Sequence, residues 1–234
     1  MTEDKSLGTV DELVEGLSFE LEPQKTCLVV IDMQYGAASR TEGVGKWLAS
    51  QGKAELGKWR FDRIEQLIIP NIQRLLAYFR EHGLPIVYTT VGAERSDFTD
   101  VPLHMRGTLK LIDIRVGSPV HNILEELKPR PGEIVLNKPT MSAFPSTRIH
   151  EVLQELGVSY LVFTGVSTNF CVDATARNAA DYGYLGTLVD DASGAYMEEW
   201  QNNTVDTWKR FFGKVATTEQ IIAQMDAGVR AGRS

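Results

Sequence analysis

Three residues of types used by hydrolytic enzymes stand at the ends of different apolar, β-branched segments of this 234-residue chain. Asp32 ends "TCLVVID", Lys138 ends "EIVLNK", and Cys171 follows "YLVFTG" after a short polar turn. A carboxylate beside a thiol can act as a general base and then as a general acid. Lys138 and the positive end of a helix beginning near Cys171 would both favour the nucleophilic thiolate. The three types together would supply an activated nucleophile and a group that moves its proton.

Each of these residues also has a structural explanation when it is taken alone. Cysteine is among the most buried residue types, so an isolated Cys171 is more often a core residue than a nucleophile. Asp32 is equally well explained as a turn or helix cap. Lys138 is, on its own, more often a solvated residue at a strand end. The catalytic interpretation therefore depends on the fold bringing the three together.

Apolar, β-branched segments alternate with helical patterns along the chain. The predicted strands are residues 26–32, 85–91, 133–138, 160–165, 185–191 and 213–217. The predicted helices are residues 61–83, 146–157, 172–183 and 197–213. Gly83, Gly157 and Gly183 follow three of the helical patterns, as expected for C-terminal caps. Pro70 predicts a kink or a restart in the first helix. Strands separated by helices predict an α/β fold with a parallel sheet covered on both faces.

Two long segments, residues 33–60 and 92–130, follow the carboxyl ends of the first two predicted strands. Ligands bind at that edge of open α/β sheets, so both segments are predicted to be functional or to carry short helices. There is no internal repeat, and we interpret the whole chain as one domain with a core at about residues 24–225. Residues 1–20 and 226–234 are interpreted as peripheral arms.

Bulk properties argue against several classes of protein. The net charge of −7 disfavours a nucleic-acid binder. The chain contains no run of 18 or more apolar residues, so no membrane span is predicted. The acidic N-terminal sequence lacks a signal-peptide pattern, so a cytoplasmic location is expected. Cys27 and Cys171 abut different predicted strands, which argues against a disulfide framework. The four histidines lie at no metal-ligand spacing, so no structural zinc site is expected.

Three blocks of the chain resemble the signature blocks of the isochorismatase-like cysteine hydrolases in order and spacing. They are "VVIDMQ" at 29–34, "LNKPTMSAF" at 136–144 and "FTGVSTNFCVDATARNAADYGY" at 163–184. The resemblance covers roughly residues 24–225. It implies a Rossmann-like, doubly wound sheet of six parallel strands with helices on both faces.

The resemblance also implies a mechanism. Family members with an Asp, Lys and Cys triad hydrolyse small amides through a thioester acyl-enzyme, and the matching residues are Asp32, Lys138 and Cys171. The family pattern implies a cis peptide between Val166 and Ser167, which would direct the Ser167 N–H to the same point as the Cys171 N–H. Two such donors form an oxyanion hole. The alternative for Ser167 is a plain strand-to-helix turn whose hydroxyl caps the helix.

Comparison of the blocks within the family narrows the reaction. Cys171 argues against true isochorismatases, which lack it, and residues 33–60 contain no histidine for the metal site of nicotinamidases. An enzyme without metal or cofactor is expected. The blocks are most similar to ureidoacrylate, N-carbamoylsarcosine and biuret hydrolases, which implies ammonia release from a small ureido or N-carbamoyl compound. The alternatives are a simple primary amide, as in nicotinamidase- or maleamate-like hydrolysis, and a catalytically silent binding protein.

Polar, aromatic and cationic residues near the blocks are candidate substrate contacts. They are Ser142, Thr168 and Asn169, then Tyr35, Phe144 and Phe170, and, for a carboxylate, Arg40, Arg95 and Arg106. Each aromatic alone is more often a core residue, and each arginine alone is more often a surface residue. Tyr35 and the segment 191–203 depart from the family pattern, which leaves the exact substrate open. The expected partners are a small amide or ureide, water, and further copies of the chain in a homodimer or homotetramer, with Trp47 and Trp59 as candidate interface residues.

Overall fold

A six-stranded sheet forms the centre of the structure, a computed structural model that describes residues 17–231. The strands are β1 Thr26–Ile31, β2 Ile86–Val91, β3 Ile134–Lys138, β4 Tyr160–Val166, β5 Leu185–Gly194 and β6 Gly213–Ala216. Their order is β3-β2-β1-β4-β5-β6, and every neighbouring pair is parallel. This arrangement confirms the predicted Rossmann-like sheet.

Helices connect the strands and cover the sheet. They are α1 Tyr35–Ala38, α2 Gly43–Ser50, α3 Lys58–Arg63, α4 Ile69–Glu81, α5 Leu103–Leu111, α6 Ile149–Glu155, α7 Asp173–Asp181, α8 Glu198–Phe211 and α9 Thr218–Ala231. Short 3₁₀ turns occupy Pro23–Lys25, Ala54–Gly57, Pro119–His121 and Glu125–Leu127. The long segments after β1 and β2 thus carry α1, α2 and α5, as predicted.

A π-helical stretch, Ile64–Ile68, joins α3 to α4 directly before Pro70. Proline has no N–H to donate, and its ring crowds the carbonyl four residues earlier. Widening the preceding turn accommodates both effects, so the helix restarts at Ile69 as one of the two predicted outcomes. A second π-helical turn, Thr168–Val172, precedes α7 and contains the candidate nucleophile.

The side chains of β1 alternate between two apolar cores. Leu28 and Val30 pack with α4 and α9 on one face of the sheet, whereas Cys27, Val29 and Ile31 pack with α6, α7 and α8 on the other. All five side chains are buried. A central parallel strand is covered on both faces, which is why its sequence is a continuous apolar run. The two cores hold the carboxyl ends of the central strands in fixed positions.

The ends of the elements test the finer predictions. Gly83, Gly157 and Gly183 each have positive φ values, of 63°, 66° and 88°, as expected at helix C-termini. Of the predicted C-terminal arm, residues 226–231 continue α9, where the Tyr78 hydroxyl donates to an Asp226 carboxylate oxygen at 2.9 Å. The predicted N-terminal arm lies largely outside the described residues.

None of the helices between residues 17 and 231 is long and apolar enough to cross a membrane.

Candidate active site

The reversal of strand order places a crevice between the carboxyl ends of β1 and β4. The chain passes from β1 outward to β2 and β3, and then returns to pair β4 with β1. Crevices at such a point are where doubly wound sheets bind ligands. Asp32 directly follows β1, and Ser167 to Cys171 directly follow β4. Lys138 ends β3, two strands away from β1.

A buried ion pair joins two of the three predicted catalytic residues. Lys138 Nζ donates to Asp32 Oδ2 at 2.8 Å, and the two side chains are 0% and 1% exposed. Neighbouring strands lie about 4.8 Å apart, so the long lysine side chain spans the end of β2. From β2, the Thr89 hydroxyl donates to Asp32 Oδ1 at 3.0 Å. Burial opposes the charge on Lys138, but the Asp32 carboxylate holds its pKa above the ordinary range.

Cys171 is the third group of this cluster. Its thiol is buried and interacts with both the Asp32 carboxylate and the Lys138 ammonium by charge and hydrogen bonding. Burial raises the pKa of Cys171 to about 12, and the Asp32 carboxylate adds to this rise, while Lys138 lowers it only in part. Desolvation thus opposes the resting thiolate expected from the sequence, whereas Lys138 favours it. A thiol with a raised pKa lies beside a carboxylate that can accept its proton.

Alkylation of Cys171 by iodoacetamide is expected to accelerate about tenfold for each pH unit between pH 7 and 9.5. The reagent reacts with the thiolate, and below a raised pKa the thiolate fraction grows in proportion to hydroxide. Mass spectrometry of the Cys171 peptide, with the Cys27 peptide as an internal reference, measures this rate. A rate that is already constant from pH 7 upward would show that the thiolate is preformed.

The turn before Cys171 is held by its own backbone and by an arginine from α3. The Val166–Ser167 peptide is cis, in agreement with the sequence prediction. The Ser167 carbonyl accepts the N–H groups of Phe170 at 2.9 Å and Val172 at 3.2 Å. The Ser167 hydroxyl accepts from Arg60 Nη1 at 3.0 Å and makes no helix-capping bond. The alternative in which this hydroxyl caps the helix is therefore wrong.

Arg60 is a site residue that the sequence analysis missed. It is 1% exposed, and besides Ser167 it donates to the carbonyls of Ala195 at 3.2 Å and Ala37 at 2.9 Å. Its guanidinium lies 4.1 Å from the centre of the Tyr196 ring. One sequence signal could have found it. Arg60 precedes the apolar Ile64 by four residues, so it lies on the buried face of its helix.

Replacing Arg60 by methionine is expected to lower kcat about ten- to hundredfold. The change removes the donors that hold the Ser167 turn, and it leaves buried carbonyls without partners, at about 1–3 kcal/mol of stability. Arg63→Met is the matched control, since Arg63 binds Ser193 and Asp190. Parallel unfolding and turnover measurements should show two destabilised variants, of which only Arg60→Met loses turnover. Equal loss of turnover would contradict a specific role.

The glutamine of "DMQ" has a structural function. Gln34 Nε2 donates to the carbonyls of Val91 at 3.1 Å and His121 at 2.7 Å, and Gln34 Oε1 accepts the Val91 N–H at 2.8 Å. The buried amide therefore closes the end of β2 against the segment that follows β1. This contact helps to fix the backbone on which Asp32 sits, at a positive φ of 52°.

A cavity of about 730 Å³ opens above the cluster and is lined by Asp32, Ser167, Phe170 and Cys171. Lys138 lies behind Asp32, away from the lining. Of the predicted substrate contacts, Phe170 is thus the one that reaches the cavity, beside the rings of Tyr196 and Trp200. A site of this volume accepts an organic molecule of drug-like size.

The other predicted substrate contacts lie outside the cavity lining. The Tyr35 hydroxyl accepts from the Glu125 N–H, the Ser142 hydroxyl accepts from the Phe144 N–H, and the Phe144 ring packs 4.9 Å from Tyr182. Thr168 and Asn169 stand in the π-helical turn with side-chain oxygens buried and without protein partners. The polarity of Thr168 and Asn169 did not indicate whether their side chains face the cavity.

The three candidate arginines are held elsewhere. Arg40 pairs with Asp62 and Glu65, which raise its pKa. Arg95 pairs with Asp97 at 3.5 Å. Arg106 donates to the carbonyls of Val101 and Thr99. The three candidate arginines are therefore bound by other protein groups outside the cavity lining. The arginine that lines the cavity is Arg60, from α3. Trp47, a candidate interface residue, lines the cavity.

Among residues 17–231, no group of three or more His, Cys, Asp or Glu side chains is arranged to hold a metal ion.

The fold and the site define the class of the protein. The isochorismatase domain matches residues 26–220, and the chain belongs to this family of hydrolases. It is 29% identical over 215 residues to ureidoacrylate amidohydrolase RutB of Pantoea ananatis, covering 85% of this chain and 81% of that protein.

Solved structures confirm the fold. A cysteine hydrolase from Pseudomonas syringae pv. phaseolicola superimposes with a TM-score of 0.77 at 20% identity, covering 92% of this chain and 98% of the other. N-carbamoylsarcosine amidase from Thermoplasma acidophilum gives a TM-score of 0.64 at 22% identity, covering 83% of this chain and 97% of the other. At these identities the likeness is one of fold.

Proposed function

We propose that the protein is a cysteine-dependent amidohydrolase that releases ammonia from a terminal carbamoyl or carboxamide group. The observation that carries the proposal is the buried Lys138–Asp32 ion pair in contact with the Cys171 thiol, at the base of a cavity. A neutral thiol beside a carboxylate is suited to attack coupled to proton transfer.

The first half-reaction forms a thioester. Cys171 Sγ attacks the carbonyl carbon while its proton passes to an Asp32 oxygen. The tetrahedral intermediate then breaks its C–NH₂ bond as Asp32 returns the proton to the leaving nitrogen. Ammonia departs, and the acyl or carbamoyl group remains on sulfur. Asp32 is thus the base and then the acid of one cycle.

The second half-reaction restores the enzyme. Asp32 takes a proton from water, whose oxygen attacks the thioester carbon, and the C–S bond breaks as the proton returns to Sγ. A carboxamide yields a carboxylic acid. A substituted urea yields a carbamic acid, which decomposes to an amine and carbon dioxide. The thiol proton therefore leaves with ammonia, and a proton from water replaces it on Cys171.

Charge develops on the carbonyl oxygen in both half-reactions. We assign its stabilisation to the backbone N–H groups of Ser167 and Cys171, which follow β4 on either side of the turn that Arg60 holds. One donor of this kind typically contributes a factor of roughly 100 to 1000 in turnover. Lys138 balances the charge of Asp32 and of the sulfur, and it lies behind Asp32 rather than in the cavity lining.

Two substrate classes fit this chemistry. A ureido or N-carbamoyl compound is supported by the 29% identity to a ureidoacrylate amidohydrolase. A simple primary carboxamide is the second candidate, and the mainly apolar lining of the cavity favours it. Both present the same planar C(=O)–NH₂ group to Cys171.

The test is ammonia release across a panel of ureas, N-carbamoyl compounds and primary amides. The proposal predicts turnover of at least one class by the wild type. Failure of every compound at millimolar concentration would support the remaining alternative, a catalytically silent protein on this fold. Slow alkylation does not make this distinction, because burial raises the pKa of the Cys171 thiol.

A further inference from the structure

The walls of the cavity above Cys171 are mainly apolar. α2 contributes Val44, Trp47 and Leu48, and α5 contributes Met105, Leu109 and Leu111. The connection between β5 and α8 adds Tyr196 and Met197, and α8 adds Trp200. These segments follow three different strands, β1, β2 and β5, so the apolar character belongs to the whole enclosure and not to one helix.

Polar groups are concentrated at the reacting end. Asp32, Ser167 and Cys171 line that end, and Arg60 is the one arginine among the described lining residues. Both Nη atoms of Arg60 donate to protein oxygens, one of them to Ser167 at the reacting end, and its buried Nε has no protein partner. Away from the reacting end, the polar or ionisable side chains among the described lining residues are His104 and Thr108, on the exposed face of α5, and Tyr196, whose ring packs against Arg60.

This distribution of groups determines which substrates fit. The remainder of the substrate, meaning the part other than the reacting C(=O)–NH₂ group, must lie against the apolar walls. Against the walls formed by α2, α5 and α8, a polar or charged remainder would lose water and gain few partners, which opposes binding. An apolar remainder would gain about fourfold in affinity for each buried methylene group. A cavity of about 730 Å³ also has far more room than a carbamoyl group alone occupies.

We propose that the substrate is a urea or primary carboxamide whose remainder is a bulky aryl or long alkyl group seated among Trp47, Leu109 and Trp200. This inference rests on the proposed function, since it adds the identity of the remainder to the C(=O)–NH₂ group. It separates the protein from a hydrolase of small polar ureides. The reacting group sits at Cys171, and the apolar remainder extends toward α2, α5 and α8.

Four compounds test the apolar remainder separately from the proposed hydrolysis. N-carbamoylglycine and malonamic acid carry small polar remainders, whereas 4-phenylbutylurea and 5-phenylpentanamide carry the same two reacting groups on apolar remainders. For each reacting group that is hydrolysed, kcat/KM should be at least about 100-fold higher with the apolar remainder. Equal or higher kcat/KM with the polar remainder would overturn the inference, while leaving the proposed hydrolysis intact.

Binding tests the inference even if none of the four is hydrolysed. Calorimetry on the Cys171→Ser variant should give Kd values about 100-fold lower for the apolar compounds than for the polar ones. Absence of binding by the apolar compounds, or equal binding by both pairs, would overturn the inference. Failure of hydrolysis together with preferential apolar binding would instead overturn only the proposed function.

Two aromatic residues of α8 provide a matched pair of variants. Trp200 lines the cavity and is 39% exposed, whereas Phe211 is 63% exposed and lies outside the lining. Trp200→Ala should lower kcat/KM, or affinity, for the apolar compounds about tenfold, and Phe211→Ala should leave it unchanged. Equal effects of the two substitutions, or an effect of Trp200→Ala on apolar and polar compounds alike, would overturn the placement of the remainder against this wall.

Discussion

Replacement of Cys171 by serine or alanine is expected to reduce ammonia release by about 10⁴-fold or more. The thioester path is lost, and a serine hydroxyl in the same buried position is a much weaker nucleophile beside a single carboxylate. The fold should survive, because the side chain makes few packing contacts that a hydroxymethyl group cannot replace. Steady-state ammonia release and thermal unfolding of the purified variants measure the two effects separately.

Cys27→Ala is the matched control for this prediction. Cys27 is the other cysteine of the chain, is fully buried in β1, and packs in the same core cluster as Cys171. Its removal should lower the free energy of unfolding by about 1 kcal/mol through the lost packing, with kcat unchanged. Activity that persists in Cys171→Ala, or that disappears in Cys27→Ala at unchanged fold, would contradict the assignment of the nucleophile.

Breaking the buried ion pair from either side is expected to affect both stability and turnover. Asp32→Asn leaves the Lys138 ammonium buried without its counter-ion, and Lys138→Met leaves the Asp32 carboxylate with Thr89 as its remaining side-chain donor. Each change should lower the free energy of unfolding by about 3–5 kcal/mol. Loss of the proton-transferring carboxylate should also lower kcat by about 10²- to 10⁴-fold. Denaturant titration and ammonia release measure the two quantities.

The double variant separates the structural from the catalytic contribution of the pair. Asp32→Asn combined with Lys138→Met removes both charges, so most of the lost stability should return, to within about 1–2 kcal/mol of wild type. Turnover should remain as low as in Asp32→Asn alone, because the base is still absent. A double variant whose destabilisation equals the sum of the two single changes would contradict a direct charge interaction. Recovered turnover would contradict the role of Asp32 as the base.

The fold could be predicted well from the chain because it depends on strong, repeated local signals. The apolar runs around Val29 and Val162 are continuous, since central parallel strands are buried on both faces. Glycines after the helices and the alternation of strands with helices fixed the order of elements. The cluster of Asp32, Lys138 and Cys171 could be predicted because parallel strands present their carboxyl ends at one edge.

The pocket contacts could not be predicted in the same way. Whether Phe144 or Phe170 faces the cavity depends on the rotation of a loop or turn, and both residues look alike in the sequence. The spacing of Arg60 to Ile64 indicates that it lies on the buried face of its helix, but its contact with Ser167 spans 107 residues, and contacts of that separation leave no periodic signal. The protonation of Cys171 depends on how much desolvation outweighs one lysine, which is a property of packing.

Partitioning of the acyl group between water and hydroxylamine tests the central claim most directly. A primary amide that the protein hydrolyses and the methyl ester with the same acyl group would be compared at one fixed hydroxylamine concentration. If both react through a thioester on Cys171, the ratio of hydroxamate to acid must be the same for the two compounds, because the leaving group has departed before partitioning. A ratio that depends on the leaving group, or hydroxamate formation that does not require Cys171, would contradict the acyl-enzyme mechanism.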